Sequence, residues 1–519
     1  MTGGKTTVRE ASFAVFRHFG VDALFGNPGS TELPMLRGLP DDIPYVLGLS
    51  EGVVLGMADG YAQATRRPSL VNLHSSAGTG NALGNLYTAY RNNTPIVVTA
   101  GQQARSILPF DPFLGAERPT EFPRPFVKWA CEPARAEDVP LALARAFHIA
   151  MTPPMGPTFV SVPVDDWDRE CEMPKLPELD LAVEPPAGGI AKLAAMLDGA
   201  KRPALVLGAG VARSGGWHAA VELVEKCQAD VWCSPLASRE IFPEDHPRFA
   251  GFLPAFREEI VRLLSPYDAV LVAGTQAFTY HAEGHGPHIA AGTRLGLLSD
   301  DPQHLSFQPG GTGVLGNVAS GLAAIASGVS SKARVEPCPR AEAPAPAMRT
   351  DYVLHRLSRL RPEGAALVEE APTARGAMHD HLPVTVPDGF YATASGGIGY
   401  AMPAAVGISR GAPGRKVIAL IGDGSAMYSV QALWSAAEQK SDISFLILAN
   451  RKYAALDSFA QVFGMNHVPG TDITGIDFVK LAESMGVPAR SVSEVDRLDA
   501  ELRWSLETRG PTLVEIVID

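Results

Sequence analysis

Long apolar runs are missing from this chain of 519 residues. Stretches such as VIALIG and FLILA stop at five or six residues, far short of the ~20 that a membrane helix needs. The N-terminus, MTGGKTTVRE, lacks the apolar centre of a secretory leader, so a cytoplasmic protein is expected. Cysteine is scarce: Cys131, Cys171, Cys227, Cys233 and Cys338 are scattered, odd in number and never paired as C-x-x-C. That excludes a disulfide framework and a thiolate zinc site and leaves reduced, buried thiols. Positive charge is in deficit, with a net charge of −12, which argues against a nucleic-acid partner. No fixed-period repeat is visible.

What is present is apolar content enough for folding, 46% of the residues, in a chain too long for one core. Two proline-rich stretches divide it, Glu172 to Gly189 and Ser330 to Met348, and both read as exposed connectors. The expected domains are 1–180, 181–340 and 341–519. Each alternates short β-rich runs with helical patterns. LVNLH, PIVVTAG and PTFVSVP read as buried parallel strands in the first, ALVLGAG and AVLVAG in the second, and KVIALIG, SFLILAN and TLVEIVI in the third. The fold class is therefore α/β, three domains, each a parallel sheet flanked by helices. The first and third could be distant repeats of one plan. The middle domain starts a Rossmann-like glycine turn, Gly208-Ala209-Gly210, but Arg213 stands at the third glycine position. The G-x-G-x-x-G fingerprint fails, and a structural domain without its own nucleotide is expected.

The most informative motif is Gly422-Asp423-Gly424 with Asn450. Lys416 to Gly422 reads as a strand, Gly422 to Ser425 as a tight turn, and Ala426 to Glu438 as a helix; Ser444 to Ala449 reads as the next strand. A carboxylate and a carboxamide then stand at the carboxyl ends of two strands joined by a crossover, where α/β sheets bind ligands. Two hard oxygen ligands suit Mg²⁺, which keeps phosphate oxygens in its other positions. A diphosphate held through a metal is implied.

Four N-terminal features share the same placement just past strand ends: the turn Gly26-Asn27-Pro28-Gly29-Ser30, the acid Glu51 opening a helical run to Ala64, His74 entering Ser75-Ser76-Ala77-Gly78-Thr79-Gly80-Asn81, and Ala100-Gly101-Gln102-Gln103. Singly, each has an ordinary reading: a turn, an acid at a helix N-terminus, a hydrogen-bonded histidine. Their common position is the reason to take them together.

Together with GDGSAMYSVQALWSAAEQ, PRPFVKWACEPA and PVDDWD, the segments GNPGSTELP, LGLSEGVVLGMADGYA, NLHSSAGTGNALGNLY and VTAGQQ resemble the thiamine-diphosphate-dependent 2-oxo acid decarboxylases, nearest the benzoylformate decarboxylase group. The resemblance covers nearly the whole chain and is weakest in the middle domain. It implies the thiamine-diphosphate-binding fold. Glu51 would hydrogen-bond the pyrimidine N1′ and drive internal removal of the C2 proton, a task suited to a buried carboxylate in the apolar stretch Val46 to Met57. His74 and His281 would move protons near neutrality, and Ser30 would contact the substrate carboxylate. His285 has no matched role. Asp423, Asn450 and the Lys452 carbonyl would ligate Mg²⁺, for which Ca²⁺ could substitute. The paired asparagines usual in the family are here Ala449-Asn450, and only the second is the ligand position. Asn27, Pro28, Gly29, Asn81, Glu370, Thr373, Gly396, Gly422, Gly424, Ser425, Tyr428 and Tyr453 are assigned to the cofactor, with Ile398 wedged between its two rings. After Glu370 the family's serine and threonine give way to Ala371 and Pro372.

Phe113, Leu114, Ala392, Thr393, Ala455, Leu456 and Phe459 are expected around the substrate side chain, an apolar wall suited to a phenyl group. Ala392 replaces a large aromatic residue of the group, and Asp457 replaces a basic one, which would admit a cationic substrate at the rim. The expected activity is non-oxidative decarboxylation of a 2-oxo acid, aryl substrates favoured, with aldehyde carboligation as a side reaction. The rival readings are an acetohydroxyacid-synthase-like carboligase, a coenzyme-A-linked lyase of the same superfamily, and a non-catalytic scaffold. His74 and the failed nucleotide fingerprint weigh against the first; the second needs a basic adenine-binding surface that the sequence does not display. The resemblance also implies a homo-oligomer, a dimer at least and a tetramer in many relatives.

Overall fold

The computed structural model describes residues 5–519. Three six-stranded sheets carry the chain, every pairing within them parallel. The first holds Leu24–Gly26, Tyr45–Leu47, Ser69–Leu73, Ile96–Gln102, Trp129–Cys131 and Thr158–Pro163. The last holds Ala366–Glu370, Phe390–Ala392, Val417–Gly422, Ile443–Ala449, Ala489–Val492 and Thr512–Val517. In both, the domain's strands run second, first, third, fourth, sixth, fifth across the sheet. The shared order is the repeat that the sequence hid. The middle sheet, from Pro203–Leu207 to Thr312–Leu315, runs third, second, first, fourth, fifth, sixth, which is the Rossmann order. A short antiparallel pair, Lys5–Thr7 with Glu170–Glu172, ties the N-terminal domain's ends.

The strands are near-continuous Val, Ile, Leu and Ala because helices cover both faces. Ser69–Leu73, Ile96–Gln102 and Ile443–Ala449 are buried along their whole length. The connectors carry no regular element between Met173 and Pro186 or between Ser330 and Ala345. All five cysteines are free thiols, and among the described residues no helix is long and apolar enough to cross a membrane.

One expected element breaks. The helix read over Ala426 to Glu438 is two, Asp423–Ala426 and Ala432–Glu438, with turns between. Tyr428 is seated there against Gly399, where an added Cβ would lie 2.9 Å from Tyr428 Cβ. The intervening Tyr428-Ser429-Val430 are also weak helix formers.

The N- and C-terminal domains share a core. Helix Glu51–Thr65 crosses helix Ala401–Gly411 so closely that a Cβ on Gly407 would meet the Met57 carbonyl oxygen at 1.9 Å, and one on Gly60 the Ala404 carbonyl oxygen at 2.2 Å. Only glycine permits this approach. One continuous apolar cluster therefore runs from Phe25 and Val54 through Tyr400 and Ala405 to Ile421 and Phe445.

Candidate active site

The strand order of both outer sheets reverses between the domain's first and third strands, and crevices at such points bind ligands. In the N-terminal sheet the chain leaves these strands at Asn27 and His74; in the C-terminal sheet it leaves them at Ala371 and Asp423. The sequence motifs thus fall at the two switch points.

Glu51 is the first residue of its helix, with Ser50 as the extended cap. It is buried, and its two carboxylate oxygens accept N–H from the side chains of Asn27 (3.3 Å) and Asn81 (3.2 Å). A Cβ on Gly78 would lie 3.3 Å from Glu51 Oε1. Asn27 and Asn81, both assigned from sequence to the cofactor, hold the carboxylate in place.

His74 caps the helix Ser75–Asn92 and is half-buried. Its Nδ1 lies 2.9 Å from Glu32 Oε2 and 3.2 Å from Thr31 Oγ1. Thr31 donates to Glu32 Oε1 at 2.6 Å, so the Nδ1 proton goes to Glu32. Glu32 also accepts the backbone N–H of Gly29 (3.0 Å) and Gly101 (3.1 Å). This wholly buried carboxylate was missed in the sequence, although its signal was there: an acid three residues after a turn residue whose N–H needs a partner. Ser30, in the same turn, is exposed. Ser75, held at a φ of 46°, donates to the Leu114 carbonyl (2.6 Å), and Gln103 donates to the Phe113 carbonyl (2.8 Å). The two motifs thus anchor the loop carrying Phe113, whose side chain is 86% exposed.

In the C-terminal domain Asp423 Oδ1 accepts the N–H of Gly424 (2.8 Å) and Oδ2 that of Arg451 (2.5 Å). Burial raises this carboxyl's proton affinity, opposed by both N–H groups. Arg451 sits in the left-handed region, φ 58°, which turns Asn450 back so that its Oδ1 meets the Lys452 N–H at 3.1 Å. Tyr453 packs on the turn: a Cβ on Gly424 would meet its ring at 2.3 Å. No cluster of three or more His, Cys, Asp or Glu suited to a metal exists among the described residues. The fit here is of another kind: one carboxylate, one amide oxygen and a main-chain carbonyl, a hard-oxygen set that leaves positions for phosphate.

Glu370 is fully buried and accepts three backbone N–H groups, from Gly399 (2.5 Å), Tyr400 (2.7 Å) and Ala401 (2.6 Å). Burial pushes its carboxyl up to about 7 against those donors. Its oxygens are thereby engaged with the loop that carries Gly396 and Ile398, and Ile398 is half-buried there. Asn85 bridges this loop to the Glu51 helix, donating to Gly52 O (2.7 Å) and Gly399 O (3.2 Å); its spacing along a helix gave no sign of that in sequence. Ser425 is buried, while Thr373 and Tyr428 are exposed.

Among the substrate residues, His281 and Phe459 meet with ring centroids 4.3 Å apart, joining the middle and C-terminal domains. Ala455 is half-buried and Leu456 exposed on the same helix, Ala455–Val462. Ala392 is wholly buried in its strand, inside an apolar cluster; Thr393 beside it is buried and bonds Ser395 Oγ at 2.8 Å. Asp457 is paired with Lys452 Nζ at 2.6 Å on a partly exposed face. His285 is exposed, and its amide donates to Glu258.

Residues 6–117, 190–325 and 373–516 match the N-terminal TPP-binding, central and C-terminal TPP-binding domains of thiamine pyrophosphate enzymes. The chain belongs to the thiamine pyrophosphate enzymes. Within them it stands with the 2-oxo acid decarboxylases: it is 39% identical to a benzoylformate decarboxylase of Pseudomonas aeruginosa, covering 98% of each chain. A thiamine diphosphate-dependent 4-hydroxybenzoylformate decarboxylase of Rhodococcus jostii superposes with a TM-score of 0.96 at 38% identity, over 99% of each chain. The benzoylformate decarboxylase of Polynucleobacter necessarius does so with 0.94 at 35%, over 99% of this chain and 98% of that one. Thiamine diphosphate is the cofactor of this family.

Proposed function

We propose that this protein decarboxylates an aryl 2-oxo acid of the benzoylformate type to the aldehyde and CO₂, with Mg²⁺ anchoring thiamine diphosphate. The observation that carries the reading is the buried Glu51 carboxylate on two amide donors, with Asp423 and Asn450 at the carboxyl ends of two neighbouring parallel strands of the C-terminal sheet. Asp423 Oδ, Asn450 Oδ1 and the Lys452 carbonyl would hold the metal, and Ser425 would grip the diphosphate.

Thiamine diphosphate, when bound, supplies the electron sink that lets the substrate carboxylate leave as CO₂. The protein supplies the protons and the dry cleft. Glu51 would face the pyrimidine ring and hold or release a proton at its carboxylate. Asn27 and Asn81 fix the direction in which its oxygens point. His74 has its Nδ1 spent on Glu32, so its working atom is Nε2, which gives or takes the proton of the product carbon. Proton delivery after CO₂ loss favours aldehyde release over carboligation. Phe113, Leu114 and Phe459 would offer an apolar, aromatic wall, and Lys452 competes for the Asp457 carboxylate with any cationic side chain.

We also propose that the active unit is at least a dimer, with a tetramer as the larger assembly. Phe110, Phe113, Tyr428 and Phe463 are each more than 60% exposed. Large apolar surfaces of this kind ask for cover, and a second copy would give it.

The test is aldehyde release from benzoylformate, phenylpyruvate, a branched aliphatic 2-oxo acid and a guanidino 2-oxo acid. Benzoylformate should give the highest kcat/KM. A preference for the guanidino or aliphatic acid would refute the aryl assignment, and no aldehyde from any of them would refute the decarboxylase reading.

A further inference from the structure

Where the N-terminal and middle domains meet, a cavity of about 230 Å³ shares no lining residue with the thiamine site. Three guanidinium groups line it, Arg66, Arg213 and Arg239, and no carboxylate does. The hydrogen bonds around it show which donors are spent. Arg239 uses Nε and Nη2 on Glu240, Nη2 again on Asp388 (2.9 Å) and Nη1 on Gln63 (3.3 Å), and it lies flat on Tyr391. Gln63, Asn92 and Thr94 all donate to the buried Asp59, at 2.7, 3.1 and 2.6 Å.

What remains is Arg66 and Arg213. Arg66 reaches Asp388 through Nη2 alone (3.0 Å), and its Nη1 lies against Gly215 of the middle domain, 3.1 Å from where a Cβ would stand. The Arg213 side chain, only 11% exposed, makes no hydrogen bond among the described residues; Asp300 Oδ1 is 3.8 Å away and balances the charge without taking an N–H. Two guanidinium forks from two domains thus line one cavity that has no carboxylate in its wall, and both keep N–H groups that no hydrogen bond among the described residues uses. The fork geometry matches phosphate or carboxylate. Arg213 is also the residue that spoils the dinucleotide fingerprint. The glycines before it are used for packing: Cβ atoms on Gly208 and Gly210 would strike Thr275 and Gly274 at 2.4 and 2.6 Å. The volume falls below the roughly 300–1,000 Å³ of a drug-sized ligand site.

We propose that this cavity binds a small oxyanion, a phosphate or carboxylate group on a compact body, clasped between Arg66 and Arg213 so that it ties the N-terminal domain to the middle domain. The test is calorimetric titration of the enzyme saturated with thiamine diphosphate and Mg²⁺, so that the diphosphate site is filled, with inorganic phosphate and with malonate at low ionic strength. One-site saturable binding is expected. Saturation by only one of the two still supports the site and fixes which oxyanion it takes. Arg213→Gln should weaken binding at least tenfold and leave kcat in anion-free buffer unchanged. Met155→Trp, which fills the rim without altering charge, should weaken it likewise and serves if Arg213→Gln does not fold. Absence of saturable binding to the wild type, or undiminished affinity in the variant that folds, would overturn the proposal.

Discussion

Replacing Glu51 by glutamine separates its chemical role from its structural one. Glutamine keeps the volume and one acceptor oxygen. Its N–H₂ would face an N–H₂ of Asn27 or Asn81, whose contacts with the carboxylate are already long at 3.3 and 3.2 Å. Losing one such bond and leaving a donor without a partner costs about 1–2 kcal/mol of stability. The chemical loss is larger. A positioned general acid–base contributes on the order of 10²–10⁴ in rate, roughly 3–5 kcal/mol of activation free energy. Two assays are run side by side. Calorimetry with Mg²⁺ should show thiamine diphosphate still binding, because the Asp423 end is untouched. Hydrogen–deuterium exchange at the cofactor's C2, followed by NMR, should slow by at least a hundredfold. Wild-type exchange in a folded, cofactor-loaded variant would refute the assignment of Glu51. Loss of folding by much more than 2 kcal/mol would show that the carboxylate is chiefly structural.

Asp423→Ala should weaken Mg²⁺ and thiamine diphosphate binding together, at least tenfold by calorimetry; unchanged affinity would remove Asp423 from the metal site. Glu32→Gln should lower kcat by about tenfold or more with little change in KM, because the hydrogen bond that His74 Nδ1 donates to this charged acceptor is worth about 1.5–3 kcal/mol; a normal kcat would show that Glu32 serves only the turn. Gly407→Ala should destabilise the protein by about 3 kcal/mol, since its Cβ would overlap the Met57 carbonyl at 1.9 Å and overpacking costs typically 1–3 kcal/mol. A thermal midpoint equal to the wild type would mean that the two helices can part freely.

Candidate residues assigned a chemistry of their own were legible in the chain. Glu51, His74, Asp423 and Asn450 stand beside glycine turns at strand ends, and a residue's position after a strand is a local property. The three parallel-sheet domains were legible for the same reason, because buried strands spell themselves as short apolar runs. Residues that act by holding others were not. Glu32 under His74, Asn85 between two domains and the engagement of Glu370 with Gly399, Tyr400 and Ala401 depend on which backbone N–H groups end up without partners, and only the folded chain creates those vacancies. The broken helix after Ala426 and the burial of Ala392 have the same origin, since both are set by a packing neighbour far off in sequence.

The amino-acid order therefore determined the class of fold and, through the family resemblance its motifs carry, the thiamine diphosphate cofactor and the candidate active side chains. Tertiary structure alone decided that the two outer sheets share one strand order, that Gly60 and Gly407 let their helices fuse two domains into one core, and that Arg66 and Arg213 line one cavity. These are relations between segments separated by more than a hundred residues. Their energies come from contact and desolvation, which no local pattern encodes.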